Sequence, residues 1–176
     1  MPSVVSLGEM RTHIRSVPVG ADEDNRLRLF GEAATAAVEG YVGVLVEDTF
    51  VDVITPGMTL VLPRTPVIAL VSITGVYEQT TYPLAGLDVD GATGIVRNVS
   101  GVAFSGPVRV TYRAGRTTIP AEIKLAVLDL VLHWWRQSQA HGTATYGGEP
   151  VGVTDFSTLP NAVLNKLRPH MPILVA

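Results

Sequence analysis

The sequence predicts an α+β protein, with N-terminal helices, a small antiparallel β-sheet inserted after them, a long apolar C-terminal helix and a short final helix. Changes of period carry that prediction. Apolar residues recur at steps of three and four before about Gly43 and after Ile119, but at steps of two between about Thr49 and Arg116. No internal repeat or low-complexity linker divides the chain. Its 176 residues are the usual size of one domain, expected to be helical over about 1–45, β-rich over 46–116 and helical with an apolar tail over 117–176.

The first helix is marked by Ser6 with Glu9 three residues later, a capping box in which each side chain satisfies a free backbone N–H at the helix start. It should end near Arg15, before the breakers Pro18 and Gly20. The acidic run Asp22-Glu23-Asp24 suits the positive end of a second helix dipole. Leu27, Phe30, Ala34, Ala37 and Tyr41 then form one apolar stripe, and Gly40 and Gly43 mark its end.

In the middle zone the two-residue alternation is cleanest in Val108, Val110 and Tyr112 against Arg109, Thr111 and Arg113. Val71, Ile73 and Gly75 alternate in the same way. Met58, Leu60 and Leu62 suggest another strand, stopped by Pro63 and Pro66. Asp90-Gly91 and Ser105-Gly106 read as turns between short strands.

Ile119-Pro120 opens the last zone, with Pro expected at the first helical position, where its missing N–H costs nothing. This helix should run to about Ala140. Ile123, Val127, Leu130 and Trp134 share one face, and Leu125, Leu128, Leu132 and Trp135 share another. The polar stripe is Glu122, Asp129, His133 and Arg136. Leaving the second apolar face wet would forfeit on the order of 6–12 kcal/mol. Either the rest of the chain covers it or a neighbouring subunit does, and the sequence does not separate the two. Leu125, Leu128, Leu132 and Trp135 are therefore the candidate subunit interface. A glycine-rich loop, Gly142 through Gly152, precedes a short helix that starts at Thr158-Leu159-Pro160 and that Pro169 ends.

Composition points toward association. An apolar fraction of 47% and a mean hydropathy of +0.31 exclude a disordered chain, and both are high for a monomer with 16% charged residues. A net charge of −3 provides no basic field to grip nucleic acid. The lack of cysteine removes disulfides and thiolate chemistry. No apolar run approaches the ~18 residues of a membrane span. Residues Met1 to Val5 lack the basic segment and apolar run of a signal peptide.

Catalytic patterns are missing. His13, His133, His141 and His170 fall in separate segments without metal-type spacing, so no metal or cofactor is expected. No nucleophile elbow or phosphate loop is present. Asp88-Val89-Asp90-Gly91 lacks the remaining ligands of a calcium loop and reads as a hairpin turn. Glu122 and Asp129 lie two turns apart, too far to share a proton, and capping and solvation account for them.

The order of motifs is more specific than any one of them. Ser6 to Glu9, the acidic run at Asp22, Tyr41-Val42-Gly43, Leu62-Pro63-Arg64-Thr65-Pro66, Val71-Ser72-Ile73, Val108 to Gly115, Ile119 to Lys124, His133-Trp134-Trp135 and Leu159-Pro160 to Pro169 follow one another over nearly the whole chain. In this order the sequence resembles the head-tail connector (adaptor) family of long-tailed bacteriophages and prophages. It departs from the family at Trp135 and His170, where tyrosine is common, and matches least in the glycine-rich loop.

The resemblance implies a structural virion protein and not an enzyme. Such a protein would be made in the cytoplasm of a bacterial host and would form a ring, commonly of twelve subunits, beneath the capsid portal. Its partners would be other copies of itself, the portal protein and a stopper or tail-completion protein, with double-stranded DNA passing through the lumen unread. The apolar end, Met171, Ile173, Leu174 and Val175 with their neighbours, would either pack on its own subunit or dock on the portal by strand addition. Two other readings stay in view. One is another neck or tail-completion component, which the helix from Ile119 to Ala140 disfavours. The other is a small-ligand-binding α+β domain of the host, for which the sequence nominates no convergent polar groups.

Overall fold

A computed structural model describes residues 3–15, 17–77, 80–140 and 159–172. The chain order is α1 (Leu7–Ile14), α2 (Ala21–Val42), β1 (Asp48–Ile54), β2 (Thr59–Val61), β3 (Val67–Gly75), β4 (Leu87–Asp90), β5 (Ile95–Asn98), β6 (Val108–Ala114), α3 (Ala121–Ala140) and α4 (Asn161–Leu167). The α+β class is as expected. Contacts divide the chain into a helical unit, Met1–Tyr41 with Pro120–His170, and a β unit built on Val42–Ile119. Among the described residues no helix is long and apolar enough to cross a membrane.

In the helical unit the capping box forms as the sequence predicts. Ser6 N donates to Glu9 Oε2 at 2.6 Å, and Glu9 N donates to Ser6 Oγ at 3.2 Å. These bonds hold the Glu9 carboxyl below its ordinary range, the Ser6 backbone N–H contributing most. Arg15 ends α1 in the left-handed region, φ 64°, where its N–H donates to Arg11 O.

Helix α2 buries Leu27, Ala34, Val38 and Val42. The expected stripe is correct at Leu27 and Ala34 but drifts at its end, since Tyr41 is exposed and Val42 is buried. Three helices meet around this stripe. Arg11 on α1 pairs with Asp24 on α2 at 2.5 Å. A Cβ at Gly31 on α2 would lie 3.0 Å from Met10 Sδ, so glycine permits the close approach of α1. Phe30 on α2 meets Trp134 on α3 edge-on, with ring centroids 6.2 Å apart.

The expected long apolar helix at the C-terminus is not found. Helix α3 buries one stripe, Ile123, Ala126, Val127, Leu130, Val131, Trp134 and Trp135, at alternating steps of three and one. The rest of its surface carries Glu122, Lys124, Asp129, His133, Arg136 and Gln137, and the seven-residue α4 follows it. It begins one residue after Pro120, whose carbonyl accepts from Ile123 N and Lys124 N.

The β unit also differs from the single sheet expected. Two three-stranded antiparallel sheets form, in the orders β1-β6-β3 and β2-β5-β4. Strand β6 is central in the first, and its alternation is as predicted: Val108, Val110, Tyr112 and Ala114 are buried while Arg109 and Arg113 are exposed. Asp88-Val89-Asp90, read as a turn, belongs to strand β4; the turn starts at Gly91. Only Leu60 of the trio Met58, Leu60 and Leu62 lies within a strand. One apolar core joins both sheets through Leu60, Leu62, Ile73, Val96, Phe104, Val108, Val110 and Tyr112. Arg116 donates to the carbonyl oxygens of Val42 at 2.9 Å and Val44 at 3.2 Å, and burial lowers its pKa.

Candidate functional site

Residues of α1 and α3 line a groove of about 990 Å³ along the seam between these helices. Its apolar floor is Ile14, Leu128 and Leu132. A smaller hollow shares Ile14, Leu132 and Arg136 and adds Pro18, Trp135 and Gln139. The polar wall is Glu9, Thr12, His13 and Arg15 on one side, with Asp129 and Arg136 on the other.

The charges of this wall are unevenly satisfied. Asp129 accepts from His13 Nε2 at 2.9 Å and also pairs with Lys166 of α4. Glu9 is held by its capping box. Both carboxylates are thus committed, whereas Arg15 and Arg136 are exposed and make no ion pair among the described residues. The groove therefore presents an apolar strip beside two uncompensated guanidinium groups. Such a surface can hold an apolar side chain flanked by carboxylates. Its hydroxyl–carboxylate pair, Ser6 with Glu9, is the helix cap, and among the described residues no cluster of His, Asp and Glu is placed to hold a metal.

The four residues expected at a subunit interface separate. Trp135 is 4% exposed and closes the buried stripe of α3, with the Arg26 guanidinium 5.8 Å from its ring. Leu125 is 41% exposed, and Leu128 and Leu132 are half-buried in the groove. The wet part of this face reduces to three leucines, two of them partial, so its burial is worth on the order of 2–5 kcal/mol. Of the apolar tail, Met171 is half-buried, while Ile173, Leu174 and Val175 lie outside the described residues. The glycine-rich loop from Gly142 to Gly152 lies outside them too.

Residues 7–172 match the family of head completion proteins. The chain belongs to that family. Two solved structures share its fold. A chain described as the neck of an empty gene transfer agent particle, computed with C6 symmetry, superposes with a TM-score of 0.68 at 21% identity, covering 98% of this chain and 91% of that one. A chain from the virion of a native gene transfer agent particle gives 0.67 at 20% identity, covering 99% and 96%. No curated protein matches. These findings bear out the resemblance to head-tail connectors carried by the order of sequence motifs.

Head completion proteins are structural virion proteins and not an enzyme class. In this one, sequence reasoning missed the ion pairs that hold the helices around α3. Glu122, in the first turn of α3 and 65% exposed, is solvated as read but also accepts from His170 at 2.7 Å, and Asp129, read the same way, accepts from His13. The partners are 48 and 116 residues away, so no local spacing announces them.

Proposed function

We propose that this head completion protein is a structural component of the head-tail neck of a phage-like particle, where it forms a ring beneath the portal and extends the DNA channel. The observation that carries the reading is the family match over residues 7–172. The fold shared with neck and virion chains of gene transfer agent particles supports it. Twelve subunits is the number implied by the resemblance in the sequence. Leu125, Leu128 and Leu132 contribute to the contact between subunits, and the segment from Met171 docks on the portal. Double-stranded DNA passes through without being gripped, in keeping with a net charge of −3 and the absence of a lysine-rich stripe that would release counterions.

The test is electron microscopy of the protein mixed with the portal ring encoded by its own genome, with a variant lacking Met171 to Ala176 alongside. The expected result is an added ring under the portal, lost on deletion of the tail while the fold is retained. A full-length protein that neither forms rings nor binds the portal would overturn the proposal. A ring that docks on another neck protein in place of the portal would favour a stopper or tail-completion role.

A further inference from the structure

We infer that the groove between α1 and α3 receives the outward face of α2 from a second copy of this chain, with Leu29 entering beside Leu132 and with Asp22 and Glu32 reaching Arg15 and Arg136. The inference rests on the ring reading above and specifies the contact that would close it.

Three observations within the helical unit lead there. The first is an unmatched charge. The carboxylates in the groove wall are already bonded, Glu9 to Ser6 and Asp129 to His13 and Lys166. Arg15 and Arg136 are left exposed without an ion-pair partner among the described residues. An occupant must therefore bring carboxylates as well as an apolar side chain.

The second is that α2 offers that combination. Leu29 is 63% exposed, an unusual amount for a leucine on a helix that buries its opposite side. Asp22 and Glu32 stand seven residues before it and three after it, so all three share one face at helical spacing. Both carboxylates are exposed and make no ion pair among the described residues. Ala33 and Ala36 lie exposed on the same face, where small side chains let another helix approach closely. Two cations flank this face: Arg26 lies over the rings of Phe30 and Trp135, and Arg28, four residues before Glu32, donates to Asn25 Oδ1 at 3.3 Å.

The third is direction. Helix α2 is bonded to α1 through Arg11–Asp24 and packed on α3 through Phe30–Trp134, while α1 and α3 meet through His13–Asp129. No α2 side chain lines the groove, so it opens on the side of the α1–α3 seam away from α2. The outward face of α2 points the other way. A surface and its complement on opposite sides of one unit cannot satisfy each other in a two-fold pair. They join head to tail, the type of contact from which closed rings are built.

The experiment is charge exchange, read by mass photometry and by electron microscopy on the portal. R15E/R136E and D22R/E32R should each raise the concentration for half-assembly by roughly tenfold or more, since close interfacial charge pairs dominate register and dissociation. All four positions are exposed, so melting curves should stay near wild type. Mixing the two variants makes every contact of an alternating ring complementary, the wild-type pair at one junction and the exchanged pair at the next, so the mixture and the quadruple exchange should both restore assembly toward the wild-type range. Rings from wild type and from both double variants alike would overturn this contact while leaving the ring reading intact. Loss in both double variants without recovery in the quadruple exchange would also overturn it. If wild type forms no ring with or without the portal, the ring reading fails first and takes this inference with it.

Discussion

Replacing Tyr112 by phenylalanine isolates one hydrogen bond in the β unit. Tyr112 is fully buried on β6, with its ring 6.1 Å from that of Phe50. Its hydroxyl donates to Asp52 Oδ2 at 2.7 Å, and Asp52 also accepts from Arg64 Nη1 at 2.5 and 2.7 Å. Phenylalanine keeps the packed ring and removes only the donor. A hydrogen bond to a charged acceptor contributes about 1.5–3 kcal/mol. Asp52 is 21% exposed and keeps its arginine, so water compensates in part and a loss of about 1–2 kcal/mol is expected. In a chain of this size that lowers Tm by about 2–8 °C.

The same contact has a pH signature. Burial, and after it the bond to Asp52, push the Tyr112 phenol up to about 12 from an ordinary value of 10.0. Below pH 10 the phenol is neutral in both states, and its contribution to stability is fully present. Between about 10 and 12 the unfolded chain gives up the proton while the folded protein keeps it, so stability falls as pH rises. Two pH units at ~1.4 kcal/mol each bound this loss at about 2.7 kcal/mol. Urea unfolding of wild type and Tyr112→Phe at about pH 7 and at about pH 11 measures it, because titrations common to both proteins cancel in the difference. Wild type should lead at pH 7 and lose that lead at pH 11. A difference that stays constant across the two pH values would refute the claim that the buried hydroxyl retains its proton.

Other perturbations probe the helix junctions and the turn after α2. Asp129→Ala removes the acceptor shared by His13 and Lys166, and should cost about 1–2 kcal/mol once the partial exposure of all three groups is discounted. Urea midpoints should show that loss shrinking as salt is raised, since screening weakens the pairs in the wild type. Gly43→Ala should be more damaging, about 2–4 kcal/mol. Gly43 has φ 77°, and its Cβ would stand 2.1 Å from the carbonyl oxygen of Thr65. A melting temperature within about a degree of wild type would sink that claim.

What was legible in the sequence, and what was not, divides by the range of the interaction. The Ser6–Glu9 box, the glycine after α2 and the alternation of β6 are written within a few residues of themselves, and each forms as read. Strands β4 and β5 are four residues each, too short for alternation to stand out from a turn signal such as Asp90-Gly91. The two apolar faces of α3 were visible but not their fates. The surroundings of Trp134 and Trp135 depend on Phe30 and Arg26 arriving from a helix a hundred residues earlier, and partial exposure of Leu128 and Leu132 depends on how far α1 leans over them. The groove lies along the seam of α1 and α3, so its α3 side, Leu128, Leu132, Asp129 and Arg136, could be named from spacing while the residues that α1 brings to it could not. What the sequence lacks is the knowledge that His13 and Lys166 consume Asp129. That neutralisation turns a mixed-charge seam into one with two uncompensated arginines, and so gives the apolar surface of α3 an electrostatic preference for the acidic face of α2.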